Sequence, residues 1–296
     1  MIELTDKKIK ELELKANDIR QTIIQALIEA ESGHTAGPLG MADIFTALYF
    51  HILRHDPQKP HWDERDRVVL SNGHICPVLY ATMAHAGYAP VEEFTSTLRK
   101  FKSRFQGHPH REFFPALETS SGPLGSGLSQ TVGMALVDRV DRGKTSSRFF
   151  YCLMSDGELN CGNTWEGAML AGKEKLHNLV AIIDRNNIQI DGFTEDIMPL
   201  EPLADKWRSW NWHVIEIDGH NMEEIVDAVN QAKAVFEKPT VIIAHTIPSK
   251  GVSFMERKFE WHGNPPGKGP EDVYPKERQG EEALKELRAV REKIMS

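Results

Sequence analysis

Asp156 and Asn186 are the residues whose types and spacing most directly suggest chemistry. Each follows a short apolar run, and they stand 30 residues apart, about one strand–helix–strand unit. A carboxylate, a side-chain amide oxygen and a nearby backbone carbonyl are all hard oxygen donors. Such a set suits Mg²⁺ or Ca²⁺, with phosphate oxygens and water completing the coordination. Gly157 lets the backbone approach those phosphates closely. An Asp-Gly after a strand is ordinarily just a turn. The matched pair at two strand ends is what points to a ligand.

The elements that must hold this pair read as alternating strands and helices. Apolar residues Ile9, Leu12, Ile19, Ile23, Leu27 and Ala30 recur at helical spacing over Asp6–Glu31, and Ser32-Gly33 ends that helix. A second buried helix is expected over Met41–Leu53, after the Gly/Pro-rich stretch Gly33–Gly40. Val68–Leu70 reads as a short strand, and Asp63–Arg67 before it as a charged loop. Gly122-Pro123-Leu124-Gly125-Ser126-Gly127 opens a helix from Leu128 to about Asp141. Arg148–Met154 is a buried strand, Ser155-Asp156-Gly157 its turn, Asn163–Lys175 a helix and Leu179–Ile183 the next strand. Val214–Ile217, Met222–Phe236 and Thr240–His245 continue the alternation, and Glu277–Ile294 is a charged helix. Strands apolar on both faces, alternating with helices, predict an α/β fold: a doubly wound, mostly parallel sheet with helices on both faces. Ligands of such sheets bind beyond the carboxyl ends of the strands, where helix N-termini point.

Several segments resemble the transketolase family. Ser155-Asp156-Gly157, the gap and Asn186-Asn187 resemble the thiamine-diphosphate motif GDG…NN. Ser32-Gly33-His34 with Gly37-Pro38-Leu39-Gly40 resembles transketolase, as does Leu70-Ser71-Asn72-Gly73-His74. So do Gly107-His108-Pro109 with Gly122–Gly125, and Lys250–Met255 with Trp261-His262-Gly263. The resemblance runs from about residue 10 to 265 and covers only the amino-terminal, diphosphate-binding part of a transketolase. It implies a thiamine-diphosphate-binding domain over residues 1–270, followed by a charged helical tail over 271–296.

The resemblance implies roles residue by residue. Asp156 and Asn186 hold Mg²⁺, with Ca²⁺ as the alternative, and Ile188 gives a backbone carbonyl. Ile188 and Ile190 flank the thiazolium with Leu124, which stands between Gly122-Pro123 and Gly125 in the cofactor-binding loop. Gly157 meets the diphosphate. His74 and His262 match histidines around the diphosphate and the reacting centre. His34 and His108 match histidines that bond ketose hydroxyls and move protons. Imidazole suits this because its unperturbed pKa of about 6.5 allows acid and base roles. The other histidines lie outside these motifs. His51 and His55 could mimic a zinc pair, but no HExxH accompanies them, so they read as structural or exposed.

The sequence departs from the family at Ser155, the first Gly of the motif, and at Cys161, where many members carry a Glu of a carboxylate network linking two active sites. Thr35-Ala36 replaces a common Pro-Gly after His34. The larger departure is a missing half. In the family, the Glu that activates the aminopyrimidine, the aromatic cradle and the sugar-phosphate grip come from a second, pyrimidine-binding domain, which about 30 residues after Gly263 cannot form. The resemblance therefore implies a separate carboxy-terminal partner subunit, two copies of each chain and a site between unlike chains. The expected activity is transferase: a two-carbon ketol unit passes from a ketose phosphate to an aldose phosphate, as in the pentose phosphate pathway. The rivals are a ketolase for an unusual sugar, such as a sulfosugar or branched sugar phosphate, and a non-catalytic binding homologue.

Composition bounds these readings. The chain has 296 residues, 35 Lys+Arg against 43 Asp+Glu and a formal net charge of -8. That balance argues against nucleic acid and anionic membrane surfaces. An anionic cofactor on an acidic chain would need local compensation from metal, helix N-termini and histidines. Three cysteines make no disulfide framework, Met1–Lys10 lacks a signal-peptide core and there is no long apolar run, so a cytoplasmic location is expected.

Overall fold

The computed structural model describes residues 4–143 and 146–296; Met1–Glu3 of the charged amino-terminal stretch lies outside the described residues. Helix α1 (Asp6–Ala30) begins at Thr5, whose hydroxyl accepts the Lys8 N–H, and stops where Glu31 turns left-handed at φ 47°. The buried helix expected over 41–53 is present as continuous helical backbone that passes from α to π, and a further short helix stands before it in the Gly/Pro-rich stretch. The structure has α2 (Ala36–Gly40), α3 (Ala42–Ala47) and a π-turn over Leu48–Ile52. Strand β1 (Arg67–Leu70) follows, then α4 (Cys76–His85), α5 (Val91–Thr97) and α6 (Gly127–Arg142).

Strand β2 (Phe150–Ser155) leads to α7 (Gly162–Glu174) and β3 (Leu179–Arg185). A small antiparallel hairpin, β4 (Ile188–Gln189) and β5 (Gly192–Phe193), is one that the apolar pattern does not predict. The chain continues through α8 (Thr194–Ile197), α9 (Leu203–Ser209), β6 (His213–Asp218), α10 (Met222–Ala234), β7 (Thr240–His245) and α11 (Lys276–Met295).

The main sheet has the order β1-β2-β3-β7-β6 and is wholly parallel. This is the doubly wound sheet that the alternation predicts. Side chains alternate faces along each strand. Tyr151, Leu153, Val180, Ile182 and Ile242 pack with the apolar faces of α1, α3, α4, α10 and α11. Phe150, Cys152, Met154, Ala181 and Ile243 pack with those of α6, α7 and α9. Among the described residues no helix is long and apolar enough to cross a membrane.

Two features of this scaffold reach toward the strand ends. Arg20 on α1 and Asp43 on α3 form a buried bidentate pair, and His220 Nδ1 joins Asp43 at 2.7 Å. Helix α11 lies along α1 and grips the segment before His262: Glu286 accepts from the Ser253 N–H and hydroxyl, and Leu287 fills the space beside Gly251.

Close approach also explains one helical glycine. A Cβ on Gly172 in α7 would stand 1.9 Å from the Trp210 carbonyl oxygen, whereas one on Gly133 in α6 would meet nothing within 4 Å. Gly172→Ala should therefore destabilise the chain by about 2 kcal/mol or more through overpacking. Gly133→Ala should stabilise it by about 0.5–1 kcal/mol through helix propensity. Urea unfolding of both variants checks the opposite signs.

Candidate cofactor and substrate site

Pairing of β2 with β3, Ser155 opposite Asp184, brings Asp156 against the turn that follows β3. Asp156 Oδ2 accepts the Asn187 N–H at 2.7 Å, an Arg185 guanidinium N–H at 3.2 Å and the Thr194 hydroxyl at 3.4 Å. Its Oδ1 accepts, among the described residues, only the Gly157 N–H, at 2.7 Å. Asn187 is left-handed at φ 64°, a conformation that Asn tolerates. Asn186 donates its Nδ2 to Asp184 Oδ2 at 2.8 Å, which fixes the amide and makes Oδ1 the acceptor; Oδ1 takes the Ile188 N–H at 3.0 Å. Asp184 is itself held by the Thr246 hydroxyl, and burial pushes its carboxyl up to about 7. Burial also raises Asp156 above the usual carboxylate range, against the pull of Asn187 and Arg185.

The donor chemistry fits a hard cation. Asp156 Oδ1, the oriented Asn186 Oδ1 and the backbone at Ile188 are oxygens on neighbouring strand ends. Among the described residues no group of three or more His, Cys, Asp or Glu could hold a metal, so a soft-metal cage is not the alternative.

A cavity of about 390 Å³ opens above these strand ends, a size typical of small-molecule sites. Asp156, Gly157, Ile188, Ile190, Gly122 and Leu124 line it together with His34, His74, His108 and His262, and Ser155, Glu158, Gln189 and Asp191 complete the lining. Asn186 and Pro123 are not among its lining residues: Asn186 is buried beneath, and Pro123 is exposed on the loop, where its carbonyl accepts the Ser126 hydroxyl. Ring centres of His34, His74 and His262 lie 4.8–5.7 Å apart. His108 stands farther out, against Gly122, where a Cβ would come within 3.3 Å of its ring.

Burial, then the neighbouring His262, Arg99 and His108, lowers His34 to about 4. Burial brings His262 to about 4, holds His74 well below the usual range, and lowers His108 with help from Arg99. The expectation that histidines supply positive charge is therefore corrected: at neutral pH they are uncharged donors and acceptors. Among the described residues Nδ1 of His34 and of His262 is buried with no hydrogen-bond partner, which leaves both free to meet a ligand in the cavity.

Some residues escaped the motif reading. Glu158, fully buried, accepts from the Ser71 hydroxyl, the Gly125 N–H at 2.6 Å and the Ser155 N–H at 3.2 Å. Asp184 and Arg185 extend β3 beyond the predicted strand, and Arg185 also pairs with Glu195 and Glu201. The signal was present: two charges closing an apolar strand directly before Asn186. At the departures, Ser155 is the last residue of a regular strand, so its Cβ needs no glycine conformation. Cys161 is a free thiol pressed beside Gly125, and Thr35 ties the His34 segment to the His262 segment through the Asn264 carbonyl at 2.7 Å. His55 is structural, bonded to the Tyr88 hydroxyl and the Tyr49 carbonyl.

The neutral cluster has a pH consequence. Folded-state pKa values depressed below the unfolded value mean that the unfolded chain binds more protons on acidification. The stability that this cluster contributes is then complete above about pH 6.5 and falls toward about pH 4. The raised carboxyls of Asp156 and Asp184 titrate in the opposite sense over the same window, so the check is the difference between variants: from about pH 6.5 to about pH 4 the wild type should lose more melting temperature than His262→Gln, and an equal loss would contradict the neutral cluster.

Comparison with known proteins is consistent with this geometry. Residues 12–292 match the family profile described as transketolase, thiamine diphosphate binding domain. The chain is 43% identical to a 6-deoxy-6-sulfo-D-fructose transketolase subunit of a Clostridium species, across 85% of this chain and 90% of that one. It is 39% identical to an apulose-4-phosphate transketolase subunit of Phocaeicola vulgatus, across 97% of both. Against transketolase 2 of Escherichia coli it is 38% identical but spans only 39% of that protein. The transketolase structure of Campylobacter jejuni superposes with a TM-score of 0.81 at 32% identity, covering 96% of this chain and 48% of that one. The chain thus corresponds in length to the separate subunits and to less than half of the undivided enzymes. With the strand-end donors, the glycine loop and the histidine cluster in one cavity, these matches establish that the chain belongs to the transketolase family and corresponds to its thiamine-diphosphate-binding part.

Proposed function

We propose that this chain is the amino-terminal subunit of a two-polypeptide transketolase and that it works with a carboxy-terminal, pyrimidine-binding partner, two of each chain. The observation that carries the reading is the oriented Asp156–Asn186 pair at the strand ends, with Asp156 lining the same cavity as four neutral histidines. Thiamine diphosphate, when bound, supplies the electron sink for cleaving the ketose carbon–carbon bond. Asp156, Asn186 and the Ile188 carbonyl would hold Mg²⁺, and Gly157 would lend its N–H to the diphosphate. Leu124 and Ile190, apolar and exposed at the cavity, would cover the thiazolium. Neutral His34 and His108 would bond sugar hydroxyls and accept a proton from them, with His74 and His262 closing the inner wall.

The relatives named for sulfofructose and apulose phosphate favour a specialised sugar within this reading. Mixing this chain with the product of the adjoining reading frame, with Mg²⁺ and cofactor, should give ketol transfer that neither chain gives alone. Transfer by this chain alone would refute the divided site. Asp156→Ala should weaken Mg²⁺-dependent cofactor binding by calorimetry more than the about 10- to 100-fold that losing a mere support of a ligand costs. Tight binding without any transfer, over a panel of ketoses, would favour the non-catalytic homologue.

A further inference from the structure

Arg99 lies beside the histidine cluster and has no part in the roles proposed above. It follows α5, at the end of the Val91–Leu98 segment, and its backbone is left-handed at φ 60°, a conformation that costs a non-glycine residue about 1–2 kcal/mol. The strain is held by the Arg99 N–H bonding the Phe105 carbonyl at 2.8 Å. Strained backbone of this kind concentrates where a side chain must be aimed.

The side chain lies between two glycines. Its guanidinium rests against Gly107: a Cβ there would stand 3.0 Å from Arg99 Cζ and 3.1 and 3.3 Å from the two terminal nitrogens. Its Cδ lies 3.9 Å from the corresponding position on Gly33. Gly33 and Gly107 are the residues immediately before His34 and His108. The cation is thereby set at the outer rim of the two histidines that the proposed function gives to sugar hydroxyls. Of the cations nearest in sequence, Lys100 pairs with Glu29, Arg104 pairs with Glu93 and Lys102 rests over the Phe101 ring. Arg99 has no ion pair among the described residues, although acidic residues outnumber basic ones in the chain. An exposed guanidinium that leaves its fork of donors free, beside a polar substrate pocket, is suited to a tetrahedral oxyanion held by two N–H groups.

We propose that Arg99 is a substrate anchor: it binds the phosphate or sulfonate carried at the far end of the sugar whose hydroxyls meet His34 and His108. This rests on the proposed function and extends it, because it gives the amino-terminal chain a share in the anion grip that the family resemblance assigns wholly to the missing half. It also narrows the substrate class to anionic sugars.

The test uses the reconstituted complex with Mg²⁺, thiamine diphosphate and an uncharged aldehyde acceptor. Fructose 6-phosphate, 6-deoxy-6-sulfofructose and fructose serve as donors for the wild type, Arg99→Gln and Arg99→Lys. In Arg99→Gln the ratio of KM for the anionic donors to KM for fructose should rise about tenfold, the effect of losing one charge-assisted contact, with kcat little changed. Arg99→Lys, which keeps charge but not the fork, should fall between. The phosphate and sulfonate arms show which anion the site prefers. An equilibrium arm, phosphorus NMR titration of inorganic phosphate into the holo complex, should show weaker binding in Arg99→Gln and needs no turnover. An unchanged KM ratio with unchanged phosphate binding overturns the proposal. So does an equal fall in kcat for all three donors at constant KM, which would mean that Arg99 acts on the histidines. Wild-type inactivity with every donor would instead overturn the ketol-transfer reading, and the phosphate titration would still decide the role of Arg99. Circular dichroism and cofactor affinity of both variants verify the fold.

Discussion

The carboxylate of Glu158 is the joint on which the rest of the site depends. It is wholly buried and, among the described residues, no cation pairs with it; three dipolar donors, from Ser71, Gly125 and Ser155, satisfy it instead. A buried charge without such partners would cost several kcal/mol, so the three donors must stay in place together. They come from the end of β1, the glycine loop before α6 and the end of β2. His74 is three residues from the first, Leu124 adjoins the second and Asp156 the third. Ser71 passes the constraint on by accepting the Gly127 N–H at 3.0 Å, at a contact so close that a Cβ on Gly127 would stand 2.4 Å from Ser71 Cβ. One acid thus sets the spacing of three walls of the cavity.

A second constraint concerns sign. The chain is acidic, and its strand ends bring Asp156, Asp184 and Glu158 near a cavity where an anionic cofactor is proposed. The histidines do not offset this, because burial holds them neutral. The offset from side chains is local: Arg185 pairs with Asp156 from below, and Arg99 lies at the rim. Uncharged imidazoles beside buried acids suit proton movement, since each can give or accept without the site first being charged.

Much of this was legible in the chain. Runs such as Arg148–Met154 and Leu179–Ile183, apolar on both faces, identify buried parallel strands. The 30-residue step from Asp156 to Asn186 locates their matched ends. The four histidines could be chosen among 13 only because each lies beside Gly or Pro inside a segment that resembles the family. What escaped was polar and buried. Glu158, Asp184 and Arg185 look like solvated charges in a one-dimensional pattern, because periodicity reports apolar faces and carries no record of which acids find donors inside. The short helix α2 within the Gly/Pro-rich stretch escaped for a related reason: it packs against distant backbone, and the Ile247 carbonyl would come within 3.1 Å of a Cβ on Gly40.

The clasp of α11 on α1 carries a consequence for how the site comes into being. The two helices are joined by pairs as remote as Arg291 with Asp18, 273 positions apart, and α11 seats the segment that ends in His262. Closing so long a loop adds little entropy beyond that of a moderately long one, but it makes the contact strongly non-local, and such contacts form slowly. The sheet and its strand ends are built from nearer neighbours. The wall of the cavity that carries His262 is therefore seated only once α11, the last helix described, has been made.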